Sequence, residues 1–336
     1  MKKKAIAMVL TAVLTASALA GCGGSSSGTS ASSEAQETEE TAEEKADEAA
    51  EASAETDAAQ DAAQTEPAAE ADAAQAEAAA DSASGEPVEI QVFIAASLNT
   101  VMQEVAAKYN EEHPEVTITF NADSSGKLLT QIEEGYACDV FFSAAQKQMN
   151  KLEEDGLIVE GTRANVVNNQ VVVIKRRDTE SEVTGLADLG KASSIALADG
   201  SVPVGKYTRQ ALMSLGILAE TDDVSAYTTA QVSEALGGVE ISEQGNVSQV
   251  LTAVLEGSCE VGTTYYSDTY GHDEELDILE FVDHDLTGDV IYPVCQVVNS
   301  EADDAEKAAA ADFVKFITSD TAKGIYSSYL FDTDVE

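Results

Sequence analysis

The sequence has no tryptophan, and aromatic residues fill only 5% of its 336 positions. So little ring area argues against one compact core running the whole length. Basic side chains are scarce as well, with 18 Lys and Arg against 62 Asp and Glu, a formal charge of −44. A field of that sign repels phosphate backbones and anionic headgroups, which excludes a nucleic-acid partner and a polybasic membrane surface. Histidine occurs three times, as His113, His272 and His284. None has the i,i+4 or Cys-x-x-Cys company that zinc needs. The acidic loop Gly271–Glu275 reads as a solvated turn. No GxSxG, HExxH or GxGxxG occurs, and no His stands near a credible nucleophile, so neither an enzyme nor a cofactor is expected. Gly200–Lys206 matches the phosphate-loop pattern GxxxxGK, but Tyr207 follows where Ser or Thr must hold magnesium. What survives is a Gly-flanked loop entering a helix N-terminus.

Apolar side chains are missing from one whole region. Residues 23–86 contain 18 acids, one lysine (Lys45) and no Val, Ile, Leu, Met, Phe or Tyr. Such a segment has nothing to bury and cannot offset its ordering entropy. Before it, Lys2, Lys3 and Lys4 precede an uncharged run from Ala5 to Ala20, a basic n-region and an apolar h-region of an export signal. That run is shorter than the ~20 residues that cross a bilayer. Leu19-Ala20-Gly21-Cys22 resembles the bacterial lipoprotein signal, in which the cysteine becomes the lipidated first residue. The expected organisation is therefore a signal peptide at 1–21, a lipid anchor at Cys22 with an acidic tether over 22–86, and a folded part from 87 onward. The protein is expected outside the cytoplasm, held at the cell membrane. Cys138, Cys259 and Cys295 allow at most one disulfide, and each sits in an apolar stretch, so all three read as small buried hydrophobes.

From residue 87 on, strand and helix patterns alternate. Val88–Ile94 is β-rich, and Leu98, Val101, Met102, Val105, Ala106 and Tyr109 then recur along one helical face. Further strands are predicted at Glu115–Phe120, Asp139–Phe142, Asn169–Lys175, Ser194–Ala198, Gly262–Tyr265, Leu276–Val282 and Val290–Val298. Helices are predicted after Ser125 and over Gln146–Leu152, Gly205–Leu215, Val247–Leu255 and Ala305–Thr318. This alternation implies an α/β fold of mostly parallel sheets wrapped by helices, with Asn169–Lys175 and Ser194–Ala198 as buried parallel strands. Helices that start on a Ser- or Gly-containing turn present unpaired N–H groups, so an acidic protein can still hold an anion.

The stretches FIAASLNTVMQEVAAKY, SSGKLLTQIEEG, CDVFFSAAQKQMNKLEEDGLI, LADGSVPVGKYTRQALMSLG, NVSQVLTAVLEGSCEVGTTYYSD and YPVCQVV occur in that order over residues 88–331. Together they resemble the molybdate-binding proteins of ABC importers. The resemblance implies a two-lobed clamshell of the periplasmic-binding-protein type II, with residues 87–172 and 293–336 in one lobe and 173–292 in the other. It puts the two crossings near Val171–Val173 and Ile291–Val294. It also implies oxyanion ligands at Ser97, Ser125, Val204, Val247 and Tyr265, with the two valines acting through backbone N–H. The implied partners are molybdate or tungstate and the permease subunits of an importer, with the chain acting as a monomer. Taken singly, Ser97 reads as a helix N-cap and Ser125 as a plain cap, with Ser124 as the alternative contact to the ligand. Lys127, Lys206 and Arg209 read as solvated first-turn residues. Two positions depart from the family: Tyr266 replaces a small residue, and Tyr329-Leu330-Phe331, taken as remote from the site, replaces Tyr-Gly-Phe.

An alternative reading is a ferric-iron receptor, in which Tyr265 and Tyr266 would supply phenolates. An enzyme on the same scaffold is the third. The five expected ligands are all donors with no Asp or Glu among them, which favours an oxyanion bearing no proton and little pH dependence between pH 6 and 8.

Overall fold

The computed structural model describes residues 86–335, all within a single compact unit. The signal sequence, Cys22 and the tether lie outside the described residues. The first half of the chain supplies β1 (Val88–Ala95), α1 (Asn99–Asn110), β2 (Val116–Asp123), α2 (Ser125–Glu133), β3 (Val140–Phe142), α3 (Gln146–Glu154) and β4 (Ala164–Asn169). Then follow β5 (Val171–Arg176), β6 (Ser194–Ala198), α4 (Pro203–Ser214), α5 (Thr229–Ala235), β7 (Glu240–Gln244), α6 (Val247–Leu255), β8 (Val261–Tyr265) and β9 (Leu276–Phe281). The chain closes with α7 (His284–Thr287), β10 (Val290–Gln296), α8 (Asp304–Ile317) and α9 (Asp320–Ser328).

Two five-stranded sheets result, ordered β2-β1-β3-β10-β4 and β7-β6-β8-β5-β9. Each is mixed. β1 runs parallel to β2 and β3, whereas β10 is antiparallel to β3 and β4. Likewise β6 is parallel to β7 and β8, whereas β5 is antiparallel to β8 and β9. Asn169–Lys175 is thus not a parallel strand. Its apolar run reports burial on both faces, which an antiparallel centre strand shares with a parallel one. Gln170 alone separates β4 from β5, so the chain changes sheets there, and it returns between Phe281 and Val290. Val171 and Val172 belong to the second sheet and Val290–Tyr292 to the first, a short step outside the crossings expected from the resemblance.

Burial follows the predicted helical faces. Val101, Met102, Val105, Ala106 and Tyr109 of α1 are all inside. Under α2 and α3, Leu128, Ile132, Met149 and Leu152 pack with Phe93, Phe141, Cys138 and Cys295. Cys138, Cys259 and Cys295 are free and buried, and burial pushes the Cys295 thiol up to about 12. They act as small hydrophobes. Leu330 adopts φ +68°, the left-handed region where glycine is the ordinary occupant, which is where the resemblance led us to expect Gly.

Candidate functional site

A small cavity of about 200 Å³ lies between the two sheets, lined by Ser97, Ser125, Val204, Val247 and Tyr265 together with Ser124 and Pro203. All five predicted positions meet there. Four chain segments start a helix at its wall: the 3-10 turn Ala96–Leu98 that leads into α1, then α2, α4 and α6. The first N–H groups of a helix have no partner within it. Asn246 caps α6 by accepting from Gln249 N at 3.0 Å, which leaves the Val247 amide in the uncapped first turn. Pro203 opens α4 without an N–H, so Val204 offers the first donor of that helix. Dipoles and amides of this kind favour an anion.

The two serines do different work from capping. Ser97 makes no cap bond to α1; its Oγ lies 2.8 Å from the Tyr292 hydroxyl. Ser124 is the N-cap of α2, accepting from Lys127 N at 3.4 Å. Ser125 Oγ instead accepts from Ala144 N at 2.9 Å, which leaves its own proton for the cavity. Tyr265 ends β8 at 1% exposure, and its Oη has no hydrogen-bond partner among the described residues. Burial, with the nearby Tyr292 hydroxyl second, holds its phenol well above 10, so it is a donor at neutral pH. Tyr266 is absent from the wall: its ring packs edge-on against Phe281 at 4.9 Å.

Other residues at the site carry no motif. Asp268 accepts from Thr264 Oγ1 at 2.7 Å and from Tyr265 N at 3.0 Å. It lines a second, more polar cavity that shares Ala96 and Ser97 with the first, so a carboxylate stands beside the donors after all. Burial raises its pKa to about 6. Phe331 packs on Tyr292 at 5.7 Å, so the Tyr329–Phe331 segment supports the site wall and is not remote from it. Arg209 corrects another expectation. It is fully buried, donating to Ala198 O at 2.7 Å, Gly205 O at 2.9 Å and Tyr227 O at 2.9 Å. Lys127 stays exposed beside Asp123, while Lys206 is half-buried, and burial lowers its pKa.

The lobes stand closed over the cavity. Asn246 Nδ2 donates to Asp123 Oδ1 at 3.1 Å, and Lys147 Nζ reaches Asp223 Oδ1 at 3.3 Å and Ser225 Oγ at 3.1 Å. At Gly126 a Cβ would come within 2.8 Å of Ser201 O across the gap. Gly126→Ala is therefore expected to lower ligand affinity by about tenfold, because closure must stop short. Its apo melting temperature should not fall, since alanine favours the helix by ~0.5–1 kcal/mol. Titration beside thermal unfolding tests this; an unchanged affinity would mean the lobes do not meet at Gly126 when ligand binds.

With this geometry in view, residues 90–332 match the family described as bacterial extracellular solute-binding protein. The chain belongs to that family. A Bacillus subtilis relative, YvgL, named as a candidate ABC transporter substrate-binding lipoprotein, is 27% identical over 252 residues, covering 75% of this chain and 89% of its own. The molybdate-binding protein ModA of Haemophilus influenzae is 28% identical over 257 residues, covering 72% and 89%. Among solved structures, the substrate-binding domain of a candidate molybdenum ABC transporter from Clostridium difficile is 31% identical with a TM-score of 0.54, over 74% of this chain and 100% of that one. The molybdate-binding protein of Azotobacter vinelandii superposes with a TM-score of 0.58 at 20% identity, covering 72% and 98%, a likeness of fold alone. The two-lobed type II architecture read from the sequence is the one these structures share.

Proposed function

We propose that this chain is an extracytoplasmic receptor that captures molybdate, and tungstate with it, at Ser97, Ser125, Val204, Val247 and Tyr265, and delivers it to the permease subunits of an ABC importer. One observation carries the reading: a buried phenol without a protein partner projects from a wall built of helix N-termini and half-used serines. An unpaired buried hydroxyl costs ~1–3 kcal/mol, which a ligand oxygen would recover. The cavity is far too small for a sugar or a peptide, so a compact ion suits it better. Relatives named as molybdate-binding support the choice of ion. A lipid anchor at Cys22 accords with the name of the Bacillus relative, and the acidic segment 22–86 would then be the tether.

The ferric-iron alternative loses its second ligand, because Tyr266 packs on Phe281 and Tyr265 is held as a phenol. An iron-bound protein from Pseudomonas aeruginosa shares the fold at 14% identity, which says nothing of the ligand. Isothermal titration against a panel of oxyanions is the test. The expected order is molybdate and tungstate together, far above sulfate, with phosphate last. Affinity should stay level from pH 8 to pH 7. It should rise as pH falls through about 6, because Asp268 loses the charge that repels the dianion. Asp268→Asn should flatten that rise. Phosphate tighter than molybdate, or no oxyanion bound, would sink the proposal.

A further inference from the structure

Ser97 can serve a bare oxyanion only if its proton faces the ligand. Its Oγ lies 2.8 Å from Tyr292 Oη, and by distance alone either hydroxyl could donate. If Ser97 donated, it would present only lone pairs to the cavity and would repel molybdate. The direction is settled one residue further out, at the hinge. Asn169 Oδ1 accepts from the backbone N–H of Gln170 at 2.9 Å and of Ser267 at 3.4 Å, which fixes the orientation of the amide. Its Nδ2 therefore donates, to Ser267 Oγ at 2.8 Å and to Tyr292 Oη at 3.2 Å. Having accepted from Asn169, Tyr292 needs an acceptor for its own proton, and Ser97 Oγ at 2.8 Å is the one bonded to it, since the neighbouring Tyr265 Oη makes no hydrogen bond within the described residues. Ser97 then has one lone pair occupied and its O–H directed at the cavity it lines.

We infer that Asn169, a residue that lines neither cavity at the site, is a specificity-determining positioning residue: through Tyr292 it commits the Ser97 hydroxyl to donate to the anion. Asn169 closes β4 and Tyr292 lies in β10, so the relay bridges both strands on which the chain changes sheets. Asn169 is 3% exposed and Tyr292 is wholly buried, so water does not compete for these bonds. The inference rests on the oxyanion reading of the site and adds the source of its discrimination. A protonated anion such as hydrogen phosphate needs an acceptor, and the relay removes one.

Asn169→Asp should reverse the relay. The new carboxylate would keep the two backbone donors and would draw the Tyr292 proton to itself. Tyr292 Oη would then accept from Ser97, and Ser97 would offer lone pairs to the ligand. The added charge weakens all dianions alike and cancels in a ratio of affinities. Titrating the full-length variant with sodium molybdate, inorganic phosphate and sulfate, the molybdate-to-phosphate ratio should fall by about tenfold or more. The molybdate-to-sulfate ratio should stay within about threefold, because sulfate also lacks a proton. Adding Tyr292→Phe removes the acceptor that takes the Ser97 proton, so the double variant should recover molybdate affinity and a ratio between those of Asn169→Asp and the wild type, since an uncommitted Ser97 can also accept. An unchanged phosphate ratio, an equal fall against sulfate, or no recovery in the double variant would overturn the inference. Should Asn169→Asp fail to fold, Tyr292→Phe alone decides. It should lower the molybdate-to-phosphate ratio by about threefold or more, because an uncommitted Ser97 can also accept a proton, and a ratio equal to that of the wild type would overturn the relay. A wild-type chain that binds no oxyanion would instead overturn the functional reading, and this inference with it.

Discussion

Arg209→Leu is expected to cost about 3–5 kcal/mol of folding stability, the range in which a broken buried polar network falls. The guanidinium is fully buried and joins three segments at once: the end of β6 through Ala198 O, the first turn of α4 through Gly205 O, and the approach to α5 through Tyr227 O. Leucine fills part of the volume but removes the side-chain donor from Ala198 O and Tyr227 O, while Gly205 O keeps its helical partner; each group left unsatisfied costs ~1–3 kcal/mol, not fully additive. The neighbouring backbone is too close to relax freely. A Cβ at Gly205 would lie 2.1 Å from Asp199 O, and one at Gly200 would lie 2.3 Å from Ser225 O. Both glycines therefore answer to packing at the start of α4, and the phosphate-loop lookalike needs no nucleotide to explain it. Urea unfolding measures the effect. A loss below about 1 kcal/mol would show that Arg209 is dispensable to this loop. Arg209→Lys should recover little, because a single ammonium cannot reproduce the planar fork.

The sequence carried the positions of the donors better than the direction of the strands. Helix starts were legible because Ser, Gly and Asn mark them chemically, whereas the five ligand positions were what the family resemblance implied, position by position. Strand polarity was not legible, since VVVI of β5 is equally apolar whichever way its neighbours run. β7 escaped notice because Glu240–Gln244 is a largely exposed edge strand whose polar residues mimic a loop. α9 escaped it because only Ala322 and Tyr326 are buried along Asp320–Ser328. Arg209 looked solvated because composition favours exposed arginine, and nothing local reveals that the carbonyls of Ala198 and Tyr227, from other segments, converge on it. Tyr292 lay inside one predicted crossing and Asn169 two residues before the other, yet only the fold brings them together at Ser97.

Tyr265→Phe should separate binding from stability. The Tyr265 hydroxyl is buried without a hydrogen-bond partner among the described residues, so their packing gains nothing from it. The ring keeps its place in the variant, packed edge-on against Tyr292 at 5.8 Å, and Tyr265 N still donates to Asp268 Oδ2 at 3.0 Å. Apo stability should therefore equal or exceed that of the wild type. Affinity for molybdate should fall by ~1.5–3 kcal/mol, the range for a hydrogen bond to a charged group, or about ten- to 150-fold. The thermal shift on adding excess molybdate should shrink in proportion, because a ligand stabilises by its occupancy of the folded state. Most buried-tyrosine substitutions lower both quantities, so the opposed signs are the diagnostic result. A fall in apo stability with unchanged affinity would mean that the Tyr265 hydroxyl finds its partner in the protein and not in the ligand.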